Sequence, residues 1–433
     1  MNRTLSYKEV NDLIEKQYSW LKRKYPLSYY YLETEIRLYL TGDRFALGQH
    51  LKIYSEISIF RIVLLAGYKM VLYIIALLSG QVSKRIIYLN IARHPELQEK
   101  LNTELKQGGL EVLEHPPKYL KMVQMKKYVP LGPIVNHTFK LRNLRRLIRR
   151  IGLLDFLASD KNLNKLENVL DKRIKNIAAL LFHLKIKYLI LQNEHCPHEK
   201  ILILAAERIE AKTIIMAHGY FQKSGALVTV APIRADELIV WTASQLEMLL
   251  KETDASDYQK VSYYGWPYES FQWNSKRPDM SPLFILSDID NDFDEKKFKL
   301  TVEILTKFVA AHPGVRIRPH PSFRVSNSPR KKLIQTKFDQ YIKNETLIEQ
   351  LRQSNLVTGH DSSVLVQAYY EKIPTYRIEE ISILDIPEVP IISLDKILLM
   401  AAPSAQAKAT ISPEINAGIE KVANAIISKM LAF

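Results

Sequence analysis

The stretch RIIYLNIARHPELQEKLNTELKQGGLEVLEH, residues 85–115, decides the fold class. RIIYLNIA reads as a strand rich in β-branched and apolar residues, HPELQEKLNTELKQGG as a helix closed by glycine, and LEVLEH as a second strand. Strand, helix and strand in that order make a βαβ unit, which requires parallel pairing.

The same alternation returns along the chain. KYLILQNEH, CPHEKILILAAERIEA and KTIIMAHGY follow one another, and then ADELIVWTASQLEMLLKE and KVSYYGWP. The middle of the chain therefore reads as a mostly parallel sheet with helices on its faces. GWPYESFQWNSKRPDMSP, residues 265–282, mixes Gly, Pro and polar residues without periodicity, the composition of a linker. Beyond it the alternation restarts with LFILSD, DEKKFKLTVEILTKFVAAHPG, VRIRPHP, a helix near 338–353, NLVTGH and SSVLVQAYYEK. The expected architecture is α/β: a helical appendage over 1–83, a Rossmann-like domain over 84–264, the linker, and a second Rossmann-like domain over 283–433. Such a pair of domains places ligands at the carboxyl ends of its strands, in a cleft between facing loops. A chain of 433 residues exceeds what one core fills, which agrees with two domains.

Apolar residues at 47% and charged residues at 25% are ordinary for a folded chain, whereas the net charge of +15 points toward an anionic partner. Nucleic acid is one such partner, yet no nucleic-acid module is recognisable, and neither a P-loop nor a G-x-G-x-x-G after a strand occurs. Cys196 is the single cysteine, so no internal disulfide forms. MNRTLSYKEVNDLIEKQ lacks the apolar run of a secretory signal, and the expected compartment is the cytoplasm. Residues 59–80, IFRIVLLAGYKMVLYIIALLSG, are apolar except for Arg61 and Lys69, and the uncharged run is too short to span a bilayer. A buried helical hairpin and a helix lying in the membrane interface both fit this segment.

Three loops at strand ends carry the candidate chemistry. In VRIRPHPSF the alternation of Val315 and Ile317 with Arg316 and Arg318 makes a strand that Pro-His-Pro terminates, holding His320 beside Arg318 and Pro321. Arginine forks two hydrogen bonds to a phosphate and an imidazole N–H adds a third. In GHDSSVLVQAYYEK, Asp361 stands where an N-cap belongs and Ser362 and Ser363 fall in the first helical turn, a phosphate site if the free N–H groups face outward. In IIMAHGYFQKSG, Gly219 leaves room beside His218, whose imidazole suits a general base. NEHCPHEK crowds Glu194, His195, Cys196 and His198, but no second cluster with zinc spacing occurs, so no metal is expected and Glu194 is a candidate base. KLRNLRRLIRRIGLL sets Arg142, Arg145, Arg146, Arg149 and Arg150 beside a stripe of Leu141, Leu144, Ile148 and Ile151, a basic amphipathic helix suited to anionic lipid headgroups or an anionic glycan.

With RPHP, Ser362-Ser363 and His218-Gly219 in this order, residues 84–430 resemble GT-B glycosyltransferases of bacterial surface polysaccharide synthesis. They are most similar to the group of capsule Kdo transferases, bacterial sialyltransferases and CDP-glycerol glycerophosphotransferases. The resemblance implies that His320-Pro321 and Ser362-Ser363 bind the donor's nucleotide phosphate and that His218 acts in catalysis on the acceptor side. The two acidic residues followed by glycine that supply the sialyltransferase base have no match here. The resemblance further implies a metal-independent, cofactor-free glycosyltransferase with a nucleotide-sugar donor, CMP-linked (CMP-Kdo or CMP-sialic acid) in preference to UDP-linked. Its acceptor would be a capsule or lipopolysaccharide glycan or glycolipid, reached at the inner membrane through the arginine helix. A glycerophosphotransferase using CDP-glycerol and a non-catalytic anion-binding or polysaccharide-binding protein of an envelope assembly complex are the alternatives.

Overall fold

A computed structural model describes residues 5–42, 47–48, 51, 86–90, 95–114, 139–217, 232–253, 255–267, 280–290, 293–320, 323, 328–382, 386, 388–400 and 418–431. The chain divides into two compact units, one made of 1–218, 223–267 and 417–433, the other of 219–222 and 268–416.

The first unit is built on six parallel strands: β1 (Ile86–Asn90), β2 (Glu111–Glu114), β3 (Ile186–Leu191), β4 (Lys212–Met216), β5 (Glu237–Val240) and β6 (Val261–Tyr263). Their order is β2-β1-β3-β4-β5-β6, and the helix Pro95–Gln107 makes the expected crossover between β1 and β2. Strands covered on both faces need no polar alternation, and accordingly β5 is buried throughout and β3 from Tyr188 to Leu191.

The N-terminal helices are part of this unit rather than an appendage to it. Helix α1 (Tyr7–Lys24) opens with a capping box in which Ser6 Oγ accepts from the Glu9 amide and Glu9 accepts from the Ser6 amide at 2.8 Å. Helix α2 (Pro26–Leu40) starts on proline with no side-chain cap of its own. Glu167, on the helix Asp160–His183, instead accepts from the free amides of Leu27 at 3.1 Å and Ser28 at 2.8 Å. Every residue from Ser28 to Leu38 is buried. The expected boundary at 83 separates what these contacts join.

The C-terminal boundary shifts for the same kind of reason. The helix Gly418–Leu431, expected in the second domain, returns to the first unit, where Lys429 Nζ meets Glu237 Oε2 at 2.6 Å. Glu237 also accepts from Ser262 Oγ at 2.6 Å, so the helix is anchored to the edge of the sheet at β5 and β6.

The second unit has five parallel strands, β7 (Ser281–Ile285), β8 (Arg316–Arg318), β9 (Ser354–Gly359), β10 (Thr375–Ile378) and β11 (Ile391–Ile392), in the order β11-β10-β9-β7-β8. Phe284, Phe293, Phe308, Ile317, Leu356 and Ile378 form its core, with the Phe284 and Phe308 rings edge to face at 5.4 Å. Of the single helix expected near 338–353, only Leu347–Arg352 is α-helical, started by a capping box of Thr346 and Glu349; a 3-10 turn covers Asp339–Tyr341, and the helix Pro329–Phe338 precedes the expected range.

Counted from its own first strand, each sheet begins 2-1-3, so the strand order reverses between β1 and β3 in one unit and between β7 and β9 in the other. Ligands of open parallel sheets bind outside the carboxyl ends of the strands at such points. Among the described residues no helix is long and apolar enough to cross a membrane; residues 59–80 lie outside them.

Candidate functional site

The site assembles around the loop that follows β7. Ser287 Oγ donates to the Asp361 carbonyl at 3.0 Å, tying the β7 loop to the β9 loop. Asp288 Oδ2 lies 3.7 Å from His320 Nδ1, an ion-pair distance that ties the β7 loop to the β8 loop. Three loops at the switch point are thus joined through two adjacent residues. His320 has 47% of its side chain exposed and Asp288 only 10%, so the carboxylate sits behind the imidazole.

The β9 loop ends in a helix whose start differs from expectation by one residue. Ser362, not Asp361, is the N-cap of the helix Ser363–Tyr370, and its Oγ accepts from the Val364 amide at 3.2 Å. Its extended φ and ψ of −150° and 142° are those of a cap. The Asp361 carboxylate instead lies 3.8 Å from Arg377 Nη1, a buried guanidinium whose Nε donates to the Val389 carbonyl at 3.0 Å. Arg377 thereby offsets the charge of Asp361 beside the helix start. His360, one residue earlier, is a core histidine: it is fully buried, its Nε2 is 2.9 Å from Thr301 Oγ1, and burial holds its ring well below the ordinary imidazole pKa.

Arg318 ends β8 two residues before His320, as expected, but its Nη1 is engaged by a neighbouring segment. As alternation requires, Arg316 and Arg318 share one face of β8, and that face looks onto the segment 345–353. Arg318 Nη1 donates to Gln350 Oε1 at 2.7 Å and to the Glu345 carbonyl at 3.3 Å, while Arg316 pairs with Gln353. Both guanidinium groups act as struts between the edge strand and the next helix. Pro321, His218 and Gly219 lie outside the described residues.

Glu194 follows β3, at the switch point of the first unit, yet it is not an open base. It is 7% exposed. Its Oε1 accepts from the Arg234 amide at 2.6 Å and from Tyr30 of α2 at 3.2 Å, and its Oε2 from the Ala235 amide at 3.2 Å. The carboxylate is therefore the bolt that fastens α2 to the loop before β5. Burial pushes the Glu194 carboxyl up to about 7, against the pull of the two amides, Tyr30 and Lys200. A folded state that holds the proton more tightly than the unfolded chain draws full stability from it below the ordinary carboxylate pKa. That stability is lost as pH rises through about 7. Between pH 4 and 8 the wild type is expected to lose on the order of 3 kcal/mol relative to Glu194→Gln, measured by denaturant unfolding across that range. Parallel profiles for the two proteins would show that this carboxyl does not govern stability.

The arginine helix Phe139–Ile151 is amphipathic as expected, but two of its five arginines are buried. Arg145 is 1% exposed, pairs with Glu35 of α2 and lies over the Tyr31 ring at 5.7 Å; Arg142 is 8% exposed. Only Arg146, Arg149 and Arg150 remain on an exposed face. Among the described residues no three His, Cys, Asp or Glu side chains come together in a way that could hold a metal ion.

Two site residues, Ser287 and Asp288, escape the sequence reading. The only trace of them is the position of Ser-Asp at the end of LFILSD, immediately past an apolar strand.

No family model matches the chain. No curated protein matches it in sequence. Among solved structures it is similar to the S. aureus MnaA–UDP co-structure, with a TM-score of 0.50 and 12% identity over 81% of this chain and 98% of that one. UDP-GlcNAc 2-epimerase from Neisseria meningitidis bound to UDP-GlcNAc gives 0.47 and 12%, over 81% of this chain and 100% of that one. The lipopolysaccharide outer core galactosyltransferase WaaB in its apo form gives 0.44 and 10%, over 80% and 99%. At these identities the likeness is one of fold, and the chain has the two Rossmann-like α/β domains of the GT-B class.

Proposed function

We propose that the protein is a glycosyltransferase that takes a sugar from a nucleotide-activated donor, with the donor's phosphate held in the second unit. The observation that carries this reading is the pair of contacts joining the β7, β8 and β9 loops at the switch point, Ser287 to Asp361 and Asp288 to His320. They bring an exposed imidazole and a serine-capped helix start to the carboxyl ends of neighbouring strands. A phosphate there receives His320 on one side and the start of the helix Ser363–Tyr370, the positive end of its dipole, on the other. Charge that develops on the departing nucleotide is met by donors already in place. Arg318 supports this arrangement through its strut to Gln350.

The resemblance carried by His-Pro and Ser-Ser implies a CMP-linked donor and a surface-glycan acceptor, with His218 as the base toward the acceptor hydroxyl. MnaA was solved with UDP, which makes UDP the comparison ligand. The deciding experiment is a thermal-shift series with CMP, UDP and their sugar conjugates. A ligand at a hundredfold excess over its Kd adds about 2.7 kcal/mol, or roughly 5 to 10 °C in Tm for a unit of this size. CMP is expected to shift the midpoint and UDP not. A shift with UDP alone would move the donor to the uridine series. No shift with any nucleotide, together with no hydrolysis of any nucleotide sugar, would replace the enzyme reading with the anion-binding one.

A further inference from the structure

The aspartate behind His320 has the placement of a group that sets the state of the ring. Its Oδ2 faces His320 Nδ1 at 3.7 Å, and its Oδ1 accepts from the Asp290 amide at 3.2 Å, which fixes the plane of the carboxylate. Asp290, the other acid of this turn, is answered elsewhere: its Oδ1 accepts from Ser328 Oγ at 2.7 Å and its Oδ2 lies 3.3 Å from Lys331 Nζ. On the β8 side Arg318 is turned away onto Gln350. On the β9 side the Asp361 carboxylate faces Arg377. The acids at positions 290 and 361 thus have their own counter-charges, and the carboxylate that faces the imidazole is that of Asp288.

We propose that Asp288 is a positioning residue that holds His320 as an imidazolium with Nδ1–H turned inward, so that Nε2–H stands as a fixed donor to a phosphate oxygen. The proton stays on the ring. Asp288 touches no substrate, and its effect passes through the orientation and charge of His320. An imidazole without it would present either tautomer and would be neutral over more of the working pH range. The inference rests on the phosphate reading of the site, but the pairing itself is a property of the ligand-free protein.

The test has two arms on the full chain. In the first, the His320 ring is followed by NMR across pH in histidine-labelled protein without ligand, its signals identified by their loss in His320→Gln. Asp288→Asn is expected to lower the titration midpoint and Asp288→Glu to restore it in part; an unchanged midpoint in Asp288→Asn overturns the proposal. Should Asp288→Asn fail to fold, high salt serves on the wild type, where screening of the half-exposed pair lowers the midpoint, and an unmoved midpoint is again the overturning result. In the second arm CMP and UDP are titrated calorimetrically. Asp288→Asn is expected to bind the accepted free nucleotide, whose phosphate carries the charge that the intact donor lacks, about tenfold more weakly at neutral pH, with the loss shrinking as pH falls and the ring protonates unaided. Equal weakening at every pH would mean general damage to the loop and overturns the positioning role. A midpoint that moves as expected in a protein binding neither nucleotide upholds the pairing and removes the donor reading instead.

Discussion

Replacing His320 by alanine is expected to lower kcat by about 10² to 10³, the usual effect of removing one donor from a developing oxyanion, while the donor KM changes little. The two serines should behave in the opposite way. Their contacts to phosphate exist equally before and during reaction, so Ser362→Ala with Ser363→Ala is expected to raise the donor KM with kcat nearly intact. Because Ser362 Oγ also accepts from the Val364 amide, this variant carries a stability loss of about 1 kcal/mol from the missing cap. Kinetics must therefore be read well below its melting point. Steady-state measurements with the donor found by thermal shift separate the two effects. Near-wild-type turnover in His320→Ala would reduce RPHP to a turn and remove the phosphate site from the second unit.

The largest effect on folding is expected at Gly359, the last residue of β9. Its φ is +141°, a region that side chains rarely enter, and a Cβ there would fall onto the Ile285 carbonyl and lie 2.8 Å from the Ile285 amide nitrogen. Ile285 is its paired residue on β7, and the same carbonyl accepts from the His360 amide at 3.1 Å. The clash is with backbone, so no rotamer change relieves it, and the switch point itself must open. Gly359→Ala is expected to destabilise the second unit by about 3 kcal/mol or more, roughly 6 to 12 °C in Tm. Exchange protection of the β7 and β9 amides should be lost first. Melting within about 2 °C of wild type, with those amides still protected, would contradict this account.

The parallel sheets were legible because period and punctuation are local. Leu283 to Leu286, Val315 with Ile317, and Leu356 with Val357 announce buried strands, and the glycines and prolines between elements announce their ends. Contacts with partners from other elements are not legible in that way. Alternation puts Arg316 and Arg318 on one face of β8, but that the face meets Gln350 and Gln353 depends on where the next helix packs. Arg145 lies off the apolar stripe of its helix and reads as solvated. It is buried because Glu35, 110 positions away, comes to meet it. Asp288 pairs with His320 because the strand order runs 2-1-3, which places β7 between the other two loops. Ser362 rather than Asp361 takes the cap because Asp361 has Arg377 to answer; neighbouring residues with equal capping propensity are separated only by such distant contacts.

The return of the helix Gly418–Leu431 to the first unit makes the second unit an insertion within the first. On a ribosome, where chains emerge at about 5 to 20 residues per second, roughly 8 to 30 s separate the appearance of residue 267 from that of residue 417. Through that interval the first unit lacks the lysine that meets Glu237, whereas by its end every strand of the five-stranded sheet has emerged. The later unit in the sequence is therefore the first that can close, and the earlier one waits with an uncovered flank. That flank is where a holding chaperone has the longest time to act.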